Sequence, residues 1–432
     1  MRGDATVTRM LDLELVRHDP ERISALCAQR GFDVDVDELL AIDAAFRAAV
    51  QELDELNKEQ KQLNRLVASG EITPEEGGRR RQRAKDLEGA VRELAAQRDA
   101  LASQLPNLMA DDTPPGASDA DNVELRRWGT PPTADPEQSR HDTVGAEWGW
   151  FDQAKGASVA QSGFIYWLDG AGELLWDLFD AVLHALRTRG FKQMFTPIVA
   201  KEESFFATGY LPFVRDQLYG IARGAGGPRD ASEDLSLIGT SEQTILGYFL
   251  GEQVPAERLP VLVTSYTPCF RTEAGAAGSK TRGAFRVHQF HKVEQIVICQ
   301  PDESDRWLDE CQRNVEDIMQ ALELSHRVVR VCVGDLGAPA YKKYDTEAWF
   351  AGFDEYRETH SNSNLTDFQA RRLRLRTKSA EGVRVFPHTI SSTAVTDRVF
   401  VALFEDLLAR GLDRDAALAE GRRRIAAVRA LA

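Results

Sequence analysis

The sequence predicts an α+β protein: a mainly antiparallel sheet flanked by helices, preceded by a long antiparallel helical hairpin. Three observations point there. Apolar residues step by three and four from Leu39 to Leu105, with one Gly/Pro-rich interruption. Beyond about residue 140, short β-type runs alternate with helical stretches. No GxxxxGK[ST] loop occurs, and no GxGxxG follows a strand, so a bound nucleotide needs a different device from the usual Gly-rich cradles.

The hairpin comes first. Leu39, Ile42, Phe46, Ala49, Leu53, Leu56, Leu63 and Val67 form one heptad seam, with Gln60 its polar member. "SGEITPEEGG" (69–78) reads as the break. Ala84, Leu87, Val91, Leu94, Leu101 and Leu105 form the return seam, with Arg98 as a misfit. Between Lys61 and Arg98 lie nine Lys/Arg and six Asp/Glu, a local balance of +3 in a chain of net charge −15. Arg79, Arg80, Arg81, Arg83 and Lys85 therefore form a phosphate-backbone candidate, although a solvated helix face carries similar charge. Residues 109–140, rich in Pro, Asp and Ser, read as a linker between an N-terminal domain (1–108, arm at about 39–105) and a second domain (141–432).

In the second domain, "LPVLVTSYTPCF", "FRVHQFHKVEQIVICQ" and "HRVVRVCVG" read as strands. "AGELLWDLFDAVLHALRTRG" and "ESDRWLDECQRNVEDIMQALEL" read as helices. No apolar run approaches the roughly 18 residues that span a bilayer. The N-terminal stretch has no apolar core of a secretion signal. Five cysteines without CxxC pairing argue for a reducing cytoplasm and against a structural zinc site. A pI of 5.2 disfavours indiscriminate nucleic-acid coating but leaves room for a local basic patch.

One stretch concentrates the chemistry. "FRTEAGAAGSKTRGAFRVHQFHKVE" (270–294) sets Arg271, Lys280, Arg282 and Arg286 around a Gly/Ala-rich loop and closes on Glu294. Guanidinium forks match phosphate and carboxylate oxygens, and Gly275, Gly278 and Gly283 let backbone approach a ligand. A solvated basic hairpin between two strands is the plain alternative.

These residues resemble the seryl-tRNA synthetases, class II aminoacyl-tRNA synthetases, in order along almost the whole chain. "RGFKQMFTPIV" matches motif 1; "GTSEQ" follows, and residues 269–294 match motif 2. "YRETHSNSNLTDFQARR" follows these, and "HTISSTAVTDRVFVALFEDL" stands at motif 3. The resemblance implies a class II antiparallel sheet binding bent ATP, with Arg271, Arg286 and Arg398 as the catalytic arginines. It implies ATP contacts at Arg271, Thr272, Glu273, Arg286, Phe290, Glu358, Thr359, His360, Ser361 and Arg398. Serine contacts fall on Thr240, Ser241, Glu242, Arg271, Glu294 and Ser392, and Mg²⁺ on Glu358 and Ser361. It further implies serine tRNA as the partner of the arm, a homodimer, and a cytoplasmic enzyme without membrane attachment.

Motif 3 departs most. The family's Asn-Gly-Ser-Gly-Leu-Ala-Val-Gly-Arg is replaced by "SSTAVTDR", one residue short. Anchoring on Arg398 puts Ser392 at the motif serine and lets Asp397 divert Arg398 by pairing with it. His360 is read either as a residue away from the site or as a metal–phosphate contact. The departures leave two further readings open: a paralogue activating serine or a close analogue for a non-translational acceptor, and a non-catalytic RNA-binding or interaction protein.

Overall fold

The computed structural model describes residues 11–68, 73–222, 235–273, 283–379 and 382–431. They fall into two compact units, Met1–Pro106 and Asn107–Ala432. The first holds helices α1 (Leu13–His18), α2 (Pro20–Gln29), α3 (Val36–Ala68) and α4 (Pro74–Ala102). The antiparallel pairing of α3 and α4 is marked by cross-helix contacts that run in opposite directions along the chain. Arg98 stacks 4.1 Å over Phe46, Arg83 bonds Glu52, and Arg80 bonds Glu59. The seam misfit is thus resolved: Arg98 is buried, with its guanidinium spread on an aromatic face and bonded to Asp99.

The return helix begins earlier than the glycine cluster suggests. Thr73 Oγ1 accepts the Glu76 N–H at 3.2 Å, and the Glu76 carboxylate accepts the Thr73 N–H at 3.2 Å. Pro74 occupies the first helical position. This capping box carries Gly77 and Gly78 into the helix, while residues 69–72 of the expected break lie outside the described residues.

The second unit is built on an eight-stranded sheet. Its strands are β1 (Val123–Trp128), β2 (Lys192–Gln193), β3 (Val261–Phe270), β4 (Gln289–Cys299), β5 (His326–Arg330), β6 (Lys342–Phe350), β7 (Glu355–Thr366) and β8 (His388–Thr396). The order is β1-β5-β6-β7-β8-β4-β3-β2, antiparallel throughout except for the short β2–β3 pair. The helices are α5 (His141–Glu147), α6 (Gln153–Ala160), α7 (Asp169–Thr188), α8 (Glu202–Ala207), α9 (Glu242–Gly247), α10 (Ser304–Ala321), α11 (Phe368–Leu373), α12 (Asp397–Ala409) and α13 (Arg414–Arg429). The expected α+β class with a large antiparallel sheet is what forms.

Strand alternation divides the sheet into two faces. On β4, Val293 and Val297 join the core made with α7, α10, α12 and α13. Phe290, Lys292 and Glu294 point the other way, into an open cavity. Farther along that face, Ile296 and Ile298 pack with Ile245, Leu246 and Leu373 of α9 and α11. One face is therefore sealed by helices and the other is left for chemistry.

The stretch read as a linker needs correction. Residues 123–128 form β1, antiparallel to β5, and Asn107 Nδ2 donates to the Leu365 carbonyl at 2.8 Å. All six β1 residues are exposed, and the Val123/Leu125 alternation is broken by a register shift between Glu124 and Arg126 before Trp128, leaving a short edge strand with a weak sequence signal.

Candidate active site

A cavity of about 510 Å³ opens on the uncovered face of the sheet. Arg271, at the end of β3, is held by Tyr210, whose hydroxyl accepts from Nη2 at 3.3 Å, and by the Phe290 ring at 5.3 Å. Its Nε is buried and has no hydrogen-bond partner among the described residues. Such an orphan donor on a charged group is costly unless a ligand satisfies it. Tyr210 and neighbouring acidic groups raise the Arg271 pKa, so its charge is permanent. Arg286 is ion-paired with Glu273. Arg398 donates Nε to the Phe285 carbonyl and Nη1 to the Glu358 carbonyl, both at 3.1 Å, and lies 4.5 Å over the Phe285 ring. Burial opposes ionisation of Glu358, but Arg398, Lys343 and Arg271 hold it below the ordinary carboxylate range.

A second set of charges lies buried in the same cavity. Lys292 Nζ meets Glu294 Oε2 at 2.5 Å, and that oxygen also accepts from Thr240 Oγ1 at 2.7 Å. Ser391 Oγ donates to Glu294 Oε1 at 3.4 Å. Glu242 lies close by, its pKa pushed to about 7 by burial and by repulsion from Glu294. Burial is the largest influence on Lys292 and lowers its pKa, but Glu294, Cys269 and Tyr210 together outweigh it and the net shift is upward. Two carboxylates share one ammonium, leaving a place for one further cation.

Of the residues expected at the site, Arg271, Glu273, Arg286, Phe290, Glu358, Thr359, Ser361, Arg398, Thr240, Glu242 and Glu294 all line this cavity. Four do not. Thr272 turns away, its hydroxyl donating to the Asp216 carbonyl at 2.5 Å. Ser241 is fully buried beside the cavity rather than in its wall. His360 lies on the helix-covered face of β7, bonded to Thr359 Oγ1 and the Ala394 carbonyl. Burial drops its pKa to about 3, so it is a neutral core histidine. Ser392 likewise faces the helices and accepts from Gln295 Nε2 at 3.4 Å.

The Ser392 correction has a simple cause. Residues two apart on a strand share a face, and Ser391 and Thr393 are the pair in the cavity wall. A β-bulge between Thr393 and Val395 restores the phase, returning Thr396 to the cavity. The expected pairing of Asp397 with Arg398 is also corrected. Asp397 Oδ1 accepts the His291 backbone N–H at 3.0 Å and lies 3.4 Å from His291 Nδ1. Lys280 and Arg282 lie outside the described residues.

Sequence reading missed Lys292, Tyr210, Lys343 and Thr393, which also line the cavity, as does Ser391 of the altered motif 3. Lys292 was within reach: once Phe290 and Glu294 are placed inward, a period of two places the residue between them inward as well. Tyr210 carried no comparable signal, because it arrives from a loop far away in sequence.

Comparisons with known proteins agree with this geometry. Residues 10–110 match the seryl-tRNA synthetase N-terminal domain. Residues 226–407 match the tRNA synthetase class II core domain (G, H, P, S and T). A serine–tRNA ligase of Rubrobacter xylanophilus is 37% identical over 407 residues, covering 92% of this chain and 93% of its own. One from Thermobifida fusca is 36% identical over 406 residues, covering 92% and 93%. Among solved structures, the Pyrococcus horikoshii seryl-tRNA synthetase complexed with ATP superposes with a TM-score of 0.79 at 32% identity. That match covers 91% of this chain and 93% of the other. With its N-terminal and core domains both matched and its relatives aligned nearly end to end, this chain belongs to the seryl-tRNA synthetase family.

Proposed function

We propose that the protein activates serine with ATP to seryl-adenylate and transfers the seryl group to serine tRNA. One observation carries the reading: three arginines and the buried Glu242–Lys292–Glu294 group line a single cavity. The reaction needs charge neutralisation and alignment more than a protein nucleophile. The serine carboxylate attacks the α-phosphorus of ATP, and pyrophosphate leaves. The free Nε of Arg271 supplies a donor for the reacting carboxylate and α-phosphate, and Phe290 offers a face to the base. Arg286, released from Glu273, and Arg398 hold the outer phosphates. Glu242 takes the serine ammonium, and Glu294 with Thr240 takes its hydroxyl. A site built to hydrogen-bond that hydroxyl penalises alanine, which leaves the acceptors unpaired.

Glu358 and Ser361 would hold Mg²⁺. A single ionised carboxylate and a hydroxyl suit this ion, which keeps waters and substrate phosphates as its other ligands. When bound, it adds positive charge at the departing pyrophosphate. The N-terminal unit would bind serine tRNA through the basic cluster in the first turns of α4. A homodimer would cover exposed apolar side chains such as Trp176 and Phe195. Five free buried thiols support a reducing, cytoplasmic setting, and no described helix is long and apolar enough to cross a membrane.

Serine-dependent ATP–pyrophosphate exchange, followed by transfer to serine tRNA, tests the proposal. Exchange without transfer would favour the paralogue with another acceptor. Absence of both would leave only a binding role.

A further inference from the structure

Asp397 stands where the resemblance leads one to expect glycine, and its side chain does a strand's work. The ladder between β8 and β4 ends with Thr396 opposite Lys292. The next N–H on β4, that of His291, would lose its partner there; the Asp397 carboxylate accepts it instead, at 3.0 Å. The His291 ring stacks on Tyr266 at 5.8 Å with the planes 6° apart, which fixes the donor's surroundings. Asp397 is only 3% exposed and sits in the wall between the active-site cavity and a second, aromatic-lined cavity of about 450 Å³. It is also the first residue of α12, and Thr396 before it makes no side-chain cap. The root of α12 is therefore tied to β4 by this side chain. Arg398 is the next residue, and its guanidinium is tied at the other end to the Phe285 and Glu358 carbonyls.

Resting on the proposed ATP-dependent activation, we infer that Asp397 is a positioning residue: by accepting the His291 N–H it pins the start of α12 and fixes Arg398 for ATP. It acts through Arg398 and does not itself touch substrate. An aspartate here extends the β8–β4 ladder by one bond after the shortened motif 3 and its bulge have used up the strand. Arginine placed at both ends loses little freedom on binding phosphate, which is what preorganisation of a donor requires.

The test is steady-state pyrophosphate exchange by the full-length protein, with KM for ATP and for serine measured separately. The parent's own serine-dependent exchange first establishes the underlying activity, so failure of that reading shows before any variant is made. Asp397→Ala should raise the KM for ATP about tenfold or more, as misplacement of a positioned group does, while the KM for serine changes less than about threefold. Asp397→Asn keeps the acceptor and should stay within about threefold of the parent for both substrates. Should the alanine variant not fold, Asp397→Glu displaces the acceptor by one methylene and should again raise the KM for ATP alone. An alanine variant with unchanged or improved ATP use, an asparagine variant as impaired as alanine, or equal rises for ATP and serine would each overturn the inference.

Discussion

Gln369 donates its side-chain N–H to the Glu242 carboxylate at 2.6 Å and cannot turn round to do otherwise. Its other amide atom accepts from Thr389 Oγ1 at 2.7 Å, and the same nitrogen reaches the Thr208 carbonyl at 3.1 Å. A fully buried amide fixed in this sense stabilises a carboxylate in acceptor form. Burial and Glu294 work against it, bringing Glu242 to about 7. The first prediction follows. Below about pH 7 Glu242 takes up a proton and loses the charge that attracts the serine ammonium. The KM for serine should therefore rise as pH falls from 8 to 6, while the KM for ATP stays flat across that interval. Calorimetry in buffers of different ionisation enthalpy should detect proton release when serine binds near pH 7. A flat serine profile would remove Glu242 from this role. The sign for stability is the reverse: between the ordinary carboxylate value and about 7 the native state holds a proton that the unfolded chain does not, so stability falls as pH rises through that window.

Gln369→Glu makes a sharper case of the same contact. It replaces a donor by a second acid against Glu242, so one of the pair must carry a proton. The serine KM should rise on the order of tenfold, and the profile should shift to higher pH. Gln369→Met, which removes the donor without adding charge, should raise the KM less. If both leave the serine KM unchanged, the amide only packs.

Lys292→Met tests the buried pair. The Lys292 side chain is 8% exposed and that of Glu294 2%, so removing the ammonium leaves a carboxylate inside without its ion partner. Breaking such a pair costs on the order of 3 kcal/mol. Thermal unfolding should show a clear drop, and adding Glu294→Gln to Lys292→Met, which removes the stranded charge, should recover part of it. No recovery in the double variant would show that the methylene stem, and not the charge, supports the site.

How much of this was legible in the sequence depends on the kind of signal. The helices α7 and α10 and the strands β3 to β5 follow from apolar periodicity, and the arginines and acids of the cavity follow from long motifs in order. Ser392 was misplaced because motif matching carries no information about strand parity across a one-residue deletion; the bulge at Thr393/Val395 decides it. His360 lies between Thr359 and Ser361 of the cavity wall, so strand alternation alone turns it to the other face. Edge strand β1 was missed because its apolar alternation runs only from Val123 to Leu125 before the register shift between Glu124 and Arg126 breaks the phase. Tyr210 and Gln369 are joined to the site only by tertiary contact.

Arg271→Ala removes the donor whose Nε is unpaired among the described residues. Serine-dependent pyrophosphate exchange should fall by roughly 100- to 1,000-fold, as for loss of a preorganised donor. Tyr210→Phe, which removes only the hydroxyl acceptor 3.3 Å from Arg271, should cost about tenfold or less. An alanine variant within about threefold of the parent would place the reacting phosphate elsewhere.

The basic cluster in the first turns of α4 divides by its ion pairs, and RNA binding should divide the same way. Arg80 is bonded to Glu59 and Arg83 to Glu52, across the hairpin. Arg79, Arg81 and Lys85 lie exposed on the same helix. A cation already neutralised by a neighbouring carboxylate displaces few counterions when RNA arrives, whereas an unneutralised one displaces about one. Arg79→Ala, Arg81→Ala and Lys85→Ala together should therefore weaken serine tRNA binding and flatten its dependence on log salt by about two to three units. Arg80→Ala with Arg83→Ala should change the salt slope less while lowering hairpin stability slightly, since exposed ion pairs contribute about 0–1 kcal/mol each. Amino-acid activation should be unaffected in both sets, because the cavity lies wholly within the second unit. Binding titrations at several salt concentrations, beside pyrophosphate exchange on the same preparations, separate the outcomes. Equal slope changes from the two sets would mean that the ion pairs open on binding. Loss of exchange with either set would mean that the hairpin supports the catalytic unit instead of delivering tRNA to it.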